Sequence, residues 1–154
     1  MNGRAPAIID HLASLADTTR SRLLLLLDRH ELTVSELCGI TQLPQSTVSR
    51  HLKALVDAGW IAARAEGTSH LYTMTRDELD PARRRLWILV REQVGPTAAA
   101  TEDQRRLQAA LAGRRTTSQE FFSSSAGQWD RLRDDLFGDR FQLHAFAALA
   151  DAWS

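Results

Sequence analysis

Residues 43–60 read LPQSTVSRHLKALVDAGW, and this stretch decides the fold. Apolar side chains recur in it at the spacing of one face of an α-helix: Val48, Leu52, Leu55 and Val56. The spacing predicts a helix whose apolar stripe faces the core, while polar and basic side chains occupy its outer face. Gly59 is expected to end this helix, since glycine readily adopts the left-handed conformation found after a helix.

A short helix is predicted just before it. Thr33-Val-Ser-Glu36 has the pattern of a capping box, in which threonine and glutamate each satisfy an unpaired backbone amide. Gly39 then serves as a stop signal, so this helix should cover Val34 to Cys38. A turn of about six residues separates it from the longer helix, and the two together have the organisation of a helix-turn-helix.

Two more helices are predicted upstream, at Ala7 to Ala16 and at Thr18 to Arg29, with Asp17 as the cap of the second. The second helix contains five consecutive leucines, Leu23 to Leu27. A segment this apolar has no polar face at its centre, so we expect it to be the most buried helix of the domain.

Downstream of the longer helix, the pattern predicts a β-hairpin. Two short extended segments, Ile61 to Arg64 and His70 to Met74, flank a turn that contains Gly67. A further helix should begin at Thr75-Arg-Asp-Glu78, which reads as a second capping box, or at Asp80-Pro81, and should end near Val94. A hairpin that directly follows a helix-turn-helix is typical of winged DNA-binding domains.

The outer face of the longer helix predicts contacts with double-stranded DNA. Short side chains near its start allow the backbone to approach the major groove, so that Gln45 and Arg50 can reach base edges. Lys53, and Arg64 in the wing, can neutralise phosphates. His51 either contacts DNA or braces the helix, and we favour contact. The predicted DNA-binding residues are Gln45, Ser46, Thr47, Ser49, Arg50, His51, Lys53 and Arg64.

Three segments resemble the ArsR/SmtB family of bacterial winged-helix repressors. They are LADTTRSRLLLLLDRHELTVSELC, LPQSTVSRHLKALVDAGWI and RAEGTSHLYTM. The resemblance implies a homodimer that binds an inverted-repeat operator and is released by an effector. It also makes the helix from Asp77 to Val94 a dimerisation helix, with Leu86, Trp87, Leu89 and Val90 at the interface. The wing departs from the family, because its tip carries Glu66 where a basic residue is common.

Cys38 is the only cysteine in the chain. Metal-sensing members of the family often carry ELCxC in this helix, whereas this sequence has Ile40 at the second cysteine position. Soft metals and trivalent arsenic require two or three thiolate or imidazole ligands, and the predicted dimerisation helix contains no histidine. We therefore interpret Cys38 as a small core residue and predict no metal site and no cofactor.

Residues 115–154 lie beyond the winged helix. The stretch FF…AGQWDRLRDDLFG resembles, more loosely, the linker of fusions between an ArsR-type domain and a methyltransferase. A glycine-rich DxGxGxG turn for S-adenosylmethionine does not follow it, so we predict that the chain is not an enzyme. It is either the N-terminal regulatory and dimerisation module of a longer methyltransferase fusion, or a repressor that packs this extension around its dimer. A pocket for a small-molecule effector is a third possibility, suggested by Phe121, Phe122, Trp129, Phe137, Phe141 and Phe146.

The composition limits the partners of the protein. Lysine and arginine together number 19, as do aspartate and glutamate, so no overall positive charge points to nucleic acid and DNA binding must depend on a local surface. The longest aliphatic run is far shorter than a bilayer requires, and the N-terminus does not resemble a signal peptide, which predicts a cytoplasmic protein without a membrane span.

The predicted fold is mostly α with a small β-hairpin. It comprises a winged helix-turn-helix domain with its dimerisation helix, residues 5–97, and a helical C-terminal extension, residues 98–154.

Overall fold

The computed structural model describes residues 6–137, apart from the side chains of residues 130 and 133–137. The predicted architecture is confirmed: the chain is mostly helical, with a small antiparallel sheet and a winged helix-turn-helix order of elements. Its elements are α1 (Ala7–Leu15), α2 (Thr18–Leu27), β1 (Leu32–Thr33), α3 (Val34–Thr41), α4 (Gln45–Asp57), β2 (Ile61–Glu66), β3 (Ser69–Met74), α5 (Pro81–Val94) and α6 (Ala98–Phe137).

The helix starts of the motif follow the predicted capping chemistry. The Asp17 side chain accepts a hydrogen bond from the backbone amide of Arg20 at the start of α2. Thr33 and Glu36 form both hydrogen bonds of a capping box at the start of α3. Each cap satisfies amides that the helix itself leaves unpaired, and replacing such a cap costs about 1 kcal/mol.

The predicted end of α3 was wrong. Gly39 lies inside the helix, and the chain turns instead at Gln42, which has a left-handed backbone with φ of 57°. The Gln42 side chain donates a hydrogen bond back to the carbonyl oxygen of Gly39 at 2.6 Å. This local bond accounts for a residue other than glycine in the turn position.

The second predicted capping box was also wrong. Residues Arg76–Glu78 form a 3-10 turn, and the Thr75 hydroxyl donates to the carbonyl oxygens of Gly59 and Trp60, at 2.9 and 3.1 Å, rather than capping a helix. The alternative start signal is confirmed, since the Asp80 side chain accepts from the amide of Arg83 and Pro81 is the first residue of α5.

The core lies around α2. Of its five leucines only Leu25 is partly exposed, and the other four have no exposed surface. Burying a side chain of this size contributes about 1.5–3 kcal/mol, which makes α2 the main source of apolar stabilisation. Trp60 is also fully buried, and its indole N–H donates to the Ser14 hydroxyl of α1 at 2.7 Å.

The sheet has one more strand than the predicted hairpin. Its order is β1-β3-β2, with Leu32 paired to Tyr72 and Thr33 to Leu71. The added strand has only two residues, too few for an alternating pattern to be visible in the sequence. It attaches the wing directly to the start of α3.

Helix α6 begins at Ala98 and is 40 residues long, and it continues through Gly113, although a glycine inside a helical pattern suggests an interruption. The chain has two compact units, of which the first ends at Leu111 and the second begins at Ala112. Ala100, Asp103 and Leu107 are buried within the first unit, although we assigned them to the extension. The division into residues 5–97 and 98–154 stays a prediction.

In the second unit, Phe121, Phe122 and Trp129 are exposed on α6. Phe141 and Phe146, which we also considered for an effector pocket, lie outside the described residues, as does the side chain of Phe137. Within residues 6–137, no helix combines the length and the apolar character needed to cross a membrane.

Candidate DNA-binding surface

Helix α4 has separate buried and exposed sides. Val48, His51, Leu52 and Leu55 are buried, whereas five uncharged polar or basic side chains are exposed: Gln45, Ser46, Ser49, Arg50 and Lys53. At about 100° per residue, the exposed five fall within an arc of roughly 140° opposite the buried residues. We call these five residues the recognition surface. Thr47 lies half-buried at its edge, and Val56, predicted to be in the apolar stripe, is exposed.

His51 is not part of the recognition surface. Only 8% of the residue is exposed, and its Nδ1 lies 3.5 Å from the Arg20 guanidinium of α2. Arg20 also donates to the carbonyl oxygens of Ser14 and Ala13, at 2.6 and 3.2 Å. Our preference for a DNA contact by His51 is therefore corrected, because burial removes the ring from the surface and the bracing alternative fits its surroundings.

The end of α4 is held by Arg83 of α5. The Arg83 guanidinium donates to the carbonyl oxygen of Ala58 at 2.6 Å and stacks over the Trp60 ring, 4.6 Å from its centroid. Gly59 has φ of 78°, and a Cβ there would lie 3.3 Å from Arg83 Nη2, so both the backbone and the guanidinium favour glycine. The run Arg83-Arg84-Arg85 predicts a solvated face rather than a DNA contact, and for Arg83 that prediction is wrong.

The wing is a two-residue hairpin, with Glu66 paired to Ser69 and Gly67 at the first turn position, where φ is 59°. A positive φ at that position is the usual reason for glycine in such turns. Arg64 in β2 donates to Glu31 at 2.6 Å and lies 3.7 Å from Glu66. The hydrogen bond to Glu31 raises the pKa of Arg64. The predicted phosphate contact of Arg64 must therefore compete with two acidic neighbours.

The predicted dimer residues on α5 separate into two groups. Trp87 is only 3% exposed and its indole N–H donates to Asp28 at 3.4 Å, so its place is in the core of its own chain and its assignment to an interface was wrong. Leu86 and Val90 are partly buried against the same core. Leu89, in contrast, is 55% exposed, and Ile88 beside it is exposed as well.

Helix α1 adds to this apolar surface. It contacts α5, and Ile8, Ile9 and Leu12 are all exposed on it. Ile8 and Leu12 have the spacing of an amphipathic helix with Leu15, but only Leu15 is buried. We call Ile8, Ile9, Leu12 and Leu89 the α1/α5 surface.

Cys38 is half-buried and packs against the core, and Ile40, at the position of the family's second cysteine, is buried. Among residues 6–137, no three histidine, cysteine, aspartate or glutamate side chains lie close enough together to hold a metal ion. The thiol thus has apolar neighbours in place of further ligands.

The sequence did not reveal which residues support the recognition surface. The only indication of a supporting role for Arg20 and Arg83 is their position in the sequence. Arg20 lies in the first turn of α2, and Arg83 lies in the first turn of α5. Besides His51 and the Trp60 ring, their partners are backbone carbonyl groups, which leave no pattern in the sequence.

A recognition helix with an exposed polar arc, a supporting helix and a hairpin define a winged helix-turn-helix protein. Residues 17–62 match the family described as bacterial regulatory protein, arsR family. The arsenical resistance operon repressor of Staphylococcus xylosus is 35% identical over 78 residues, 51% of this chain and 75% of that protein. The probable mercury resistance operon repressor of Streptomyces lividans is 36% identical over 89 residues, 58% and 68% of the two chains. The chain belongs to the arsR family of bacterial regulatory proteins.

Among solved structures, HlyU from Vibrio cholerae is 26% identical, with a TM-score of 0.50 over 60% of this chain and 97% of that one. NolR from Sinorhizobium fredii has the same fold at 20% identity, with a TM-score of 0.50 over 63% of this chain and all of the other. The family match covers α2 to α4 and the start of β2, and therefore includes the recognition surface.

Proposed function

We propose that this protein is a transcriptional repressor that binds an inverted-repeat operator as a homodimer and is released by an effector. The observation that carries the proposal is the division of α4 into a buried side and the recognition surface. Arg50 and Gln45 have side chains suited to base edges in the major groove, and Ser46 and Ser49 are short enough to allow close approach. The curated relatives, which are named as operon repressors, support the direction of regulation.

A dimer fits both the target and the surface of the molecule. An inverted repeat presents the same half-site twice, so a twofold dimer places one recognition surface in each half. The α1/α5 surface offers apolar side chains that a second copy would bury. Helix α5 also carries Arg83, which holds the end of α4. Dimerisation and positioning of α4 would then depend on the same helix.

A gel shift with the DNA upstream of the protein's own gene tests this function. We expect a sequence-specific complex whose affinity falls steeply with salt, since phosphate contacts release counterions. Arg50→Ala should weaken the specific complex by about 1–3 kcal/mol, as for other base contacts. Arg85→Ala is the matched control, because this arginine is exposed on α5 away from the recognition surface. Equal affinity for operator and unrelated DNA would refute the proposal.

The names of the relatives suggest arsenic or mercury compounds as the effector. Cys38 is the only cysteine, so a sensor of this kind must use it. Adding arsenite or Hg²⁺ to the operator complex, with the protein and with Cys38→Ser, tests this directly. Release that Cys38→Ser abolishes would establish thiol sensing, whereas release that the variant retains would exclude it.

A further inference from the structure

The first compact unit contains a cavity of about 720 Å³ between the end of α2, strand β3 and the middle of α5. Its size is within the range of small-molecule sites, which is about 300–1,000 Å³. None of the predicted DNA-binding residues lines it, and neither does Cys38.

The lining of this cavity is predominantly positive. Four arginines, Arg29, Arg76, Arg84 and Arg91, face two carboxylates, Asp28 and Asp77, which leaves an excess of two positive charges. A concave site whose lining carries excess positive charge attracts anions.

One buried carboxylate is shared between two of these arginines. Asp28 is 6% exposed and pairs with Arg76 at 3.2 Å and with Arg91 at 3.4 Å. Within the described part of the chain, Arg29 and Arg84 have no ion pair with a carboxylate. Arg84 donates one hydrogen bond, from Nη2 to the backbone carbonyl oxygen of Asp77 at 3.4 Å. Its other N–H groups and the Arg29 guanidinium can pair with an anionic ligand.

The same cavity has apolar walls. Met74, Leu79 and Trp87 are buried core residues that reach it, and the exposed Ile88 lies at its edge. The indole N–H of Trp87 is already engaged with Asp28, so its ring offers mainly an apolar surface. A ligand here would meet guanidinium groups on one part of its surface and hydrocarbon on another.

We propose that this cavity binds a small organic anion, in which a carboxylate or phosphate group is attached to an apolar group the size of an aromatic ring system. Guanidinium groups pair with both kinds of oxyanion through paired hydrogen bonds, so Arg29 and Arg84 would hold the charged end. Met74, Leu79, Trp87 and Ile88 would cover the apolar end.

The cavity lies where a ligand could influence DNA binding. Its lining joins β3 of the wing to α5, and α5 carries both Arg83 and part of the α1/α5 surface. A ligand that shifts α5 would alter the support of α4. This regulatory step rests on the proposed function, whereas binding itself does not and can be measured without DNA.

Calorimetric titration of the full chain with 2-naphthoate, 2-naphthyl phosphate and the uncharged 2-naphthamide tests the site. We expect either or both anions to bind and the amide to bind at least tenfold more weakly. Arg84→Gln should weaken anion binding by about fivefold to tenfold, given the usual strength of a charge-assisted hydrogen bond at a partly exposed site. Arg85→Gln, on the neighbouring exposed residue, should leave it unchanged. Arg29→Gln provides the same test from the turn after α2 if Arg84→Gln does not fold.

Equal binding of amide and anions, equal effects of Arg84→Gln and Arg85→Gln, or no binding of any of the three compounds would overturn the proposal. Loss of DNA affinity in Arg84→Gln with unchanged anion binding would also overturn it, since the arginine would then be a phosphate contact. If the protein binds the anion but gives no gel shift, the anion site is supported and the proposed function is refuted.

Discussion

The Arg22 guanidinium donates two hydrogen bonds to the Asp103 carboxylate, from Nε to Oδ2 at 2.6 Å and from Nη2 to Oδ1 at 2.7 Å. The hydrogen bond from Arg22 to Asp103 also raises the pKa of Arg22, against the opposing effect of burial. Arg22 Nη2 donates in addition to the carbonyl oxygen of Thr41, and Arg106 donates to that of Ile40. The start of α6 is therefore bonded both to α2 and to the last carbonyl groups of α3.

Because the Asp103 side chain is only 2% exposed, we expect Asp103→Ala to be strongly destabilising. The substitution leaves the Arg22 charge largely buried without its partner, which costs about 3 kcal/mol in comparable pairs. Urea unfolding of the full chain measures the change. Glu102→Ala is the control, since Glu102 pairs with Arg105 at the surface and should change stability by about 0.5 kcal/mol or less. Similar losses in the two variants would show that the Arg22–Asp103 pair has no special role.

Arg83→Ala should loosen the end of the recognition helix. It removes the hydrogen bond to Ala58 and the contact with Trp60, and a hydrogen bond from a charged group contributes about 1.5–3 kcal/mol. We expect a comparable loss of unfolding free energy, together with faster amide hydrogen exchange at residues 55–58. Arg85→Ala removes the same charge from an exposed position and should change neither quantity. Unchanged exchange in Arg83→Ala would contradict a positioning role for Arg83.

The cap of α2 should make stability depend on pH. Burial raises the pKa of Asp17, but the hydrogen bond from the Arg20 amide and the charges of His51 and Arg20 outweigh it, so the pKa is lowered. A carboxyl whose folded pKa is lowered stabilises the fold above its unfolded pKa of about 3.9, and this contribution is lost as pH falls through the folded value.

Asp17→Ala should therefore cost about 1 kcal/mol at neutral pH, with the difference from the parent protein shrinking below about pH 4. Asp17→Asn keeps an oxygen that can accept the cap hydrogen bond but does not titrate. Its stability relative to Asp17→Ala should accordingly stay constant with pH. Urea unfolding at pH 7, 5 and 3 measures all three proteins, and a parent-to-alanine difference that is constant over this range would contradict the assignment.

Glu31→Gln should strengthen DNA binding if the wing reaches a phosphate. The substitution removes the negative charge that holds Arg64 at 2.6 Å. We expect the affinity for operator DNA to rise about twofold to fivefold at low salt and the salt dependence to steepen, as each added phosphate contact increases the slope by about one. Arg64→Gln in the same background should reverse the gain. A gain that persists without Arg64 would mean that Glu31 acts by general repulsion.

The sequence predicted those features that depend on local chemistry. The caps at Asp17 and Thr33, the helix end at Gly59 and the glycine of the wing turn each rest on a few neighbouring residues. The buried side of α4 was also predictable, because the apolar period of Val48, Leu52 and Leu55 is regular.

The sequence could not predict features that depend on tertiary contacts. Trp87 and Leu89 lie on different sides of an apolar girdle around α5, and both were predicted at the interface. Trp87 lies in the core and Leu89 on the surface, and only the fold shows which side of α5 faces α2. Gly39 was taken as a stop because the side-chain bond from Gln42 leaves no pattern in the sequence. Asp103 resembled an ordinary surface carboxylate until its partner, 81 positions away, was known.

The α1/α5 surface is expected to hold the dimer together, and Leu89 provides the sharpest test. At 55% exposed it contributes little to its own core, so Leu89→Glu should fold normally but introduce two charges into a twofold interface. We expect sedimentation equilibrium to show at least a tenfold weaker dimer and the gel shift to weaken in parallel. Leu132→Glu, at an exposed leucine of α6, is the matched control and should leave the dimer intact. A dimer that Leu132→Glu dissociates and Leu89→Glu does not would place the interface on α6 instead.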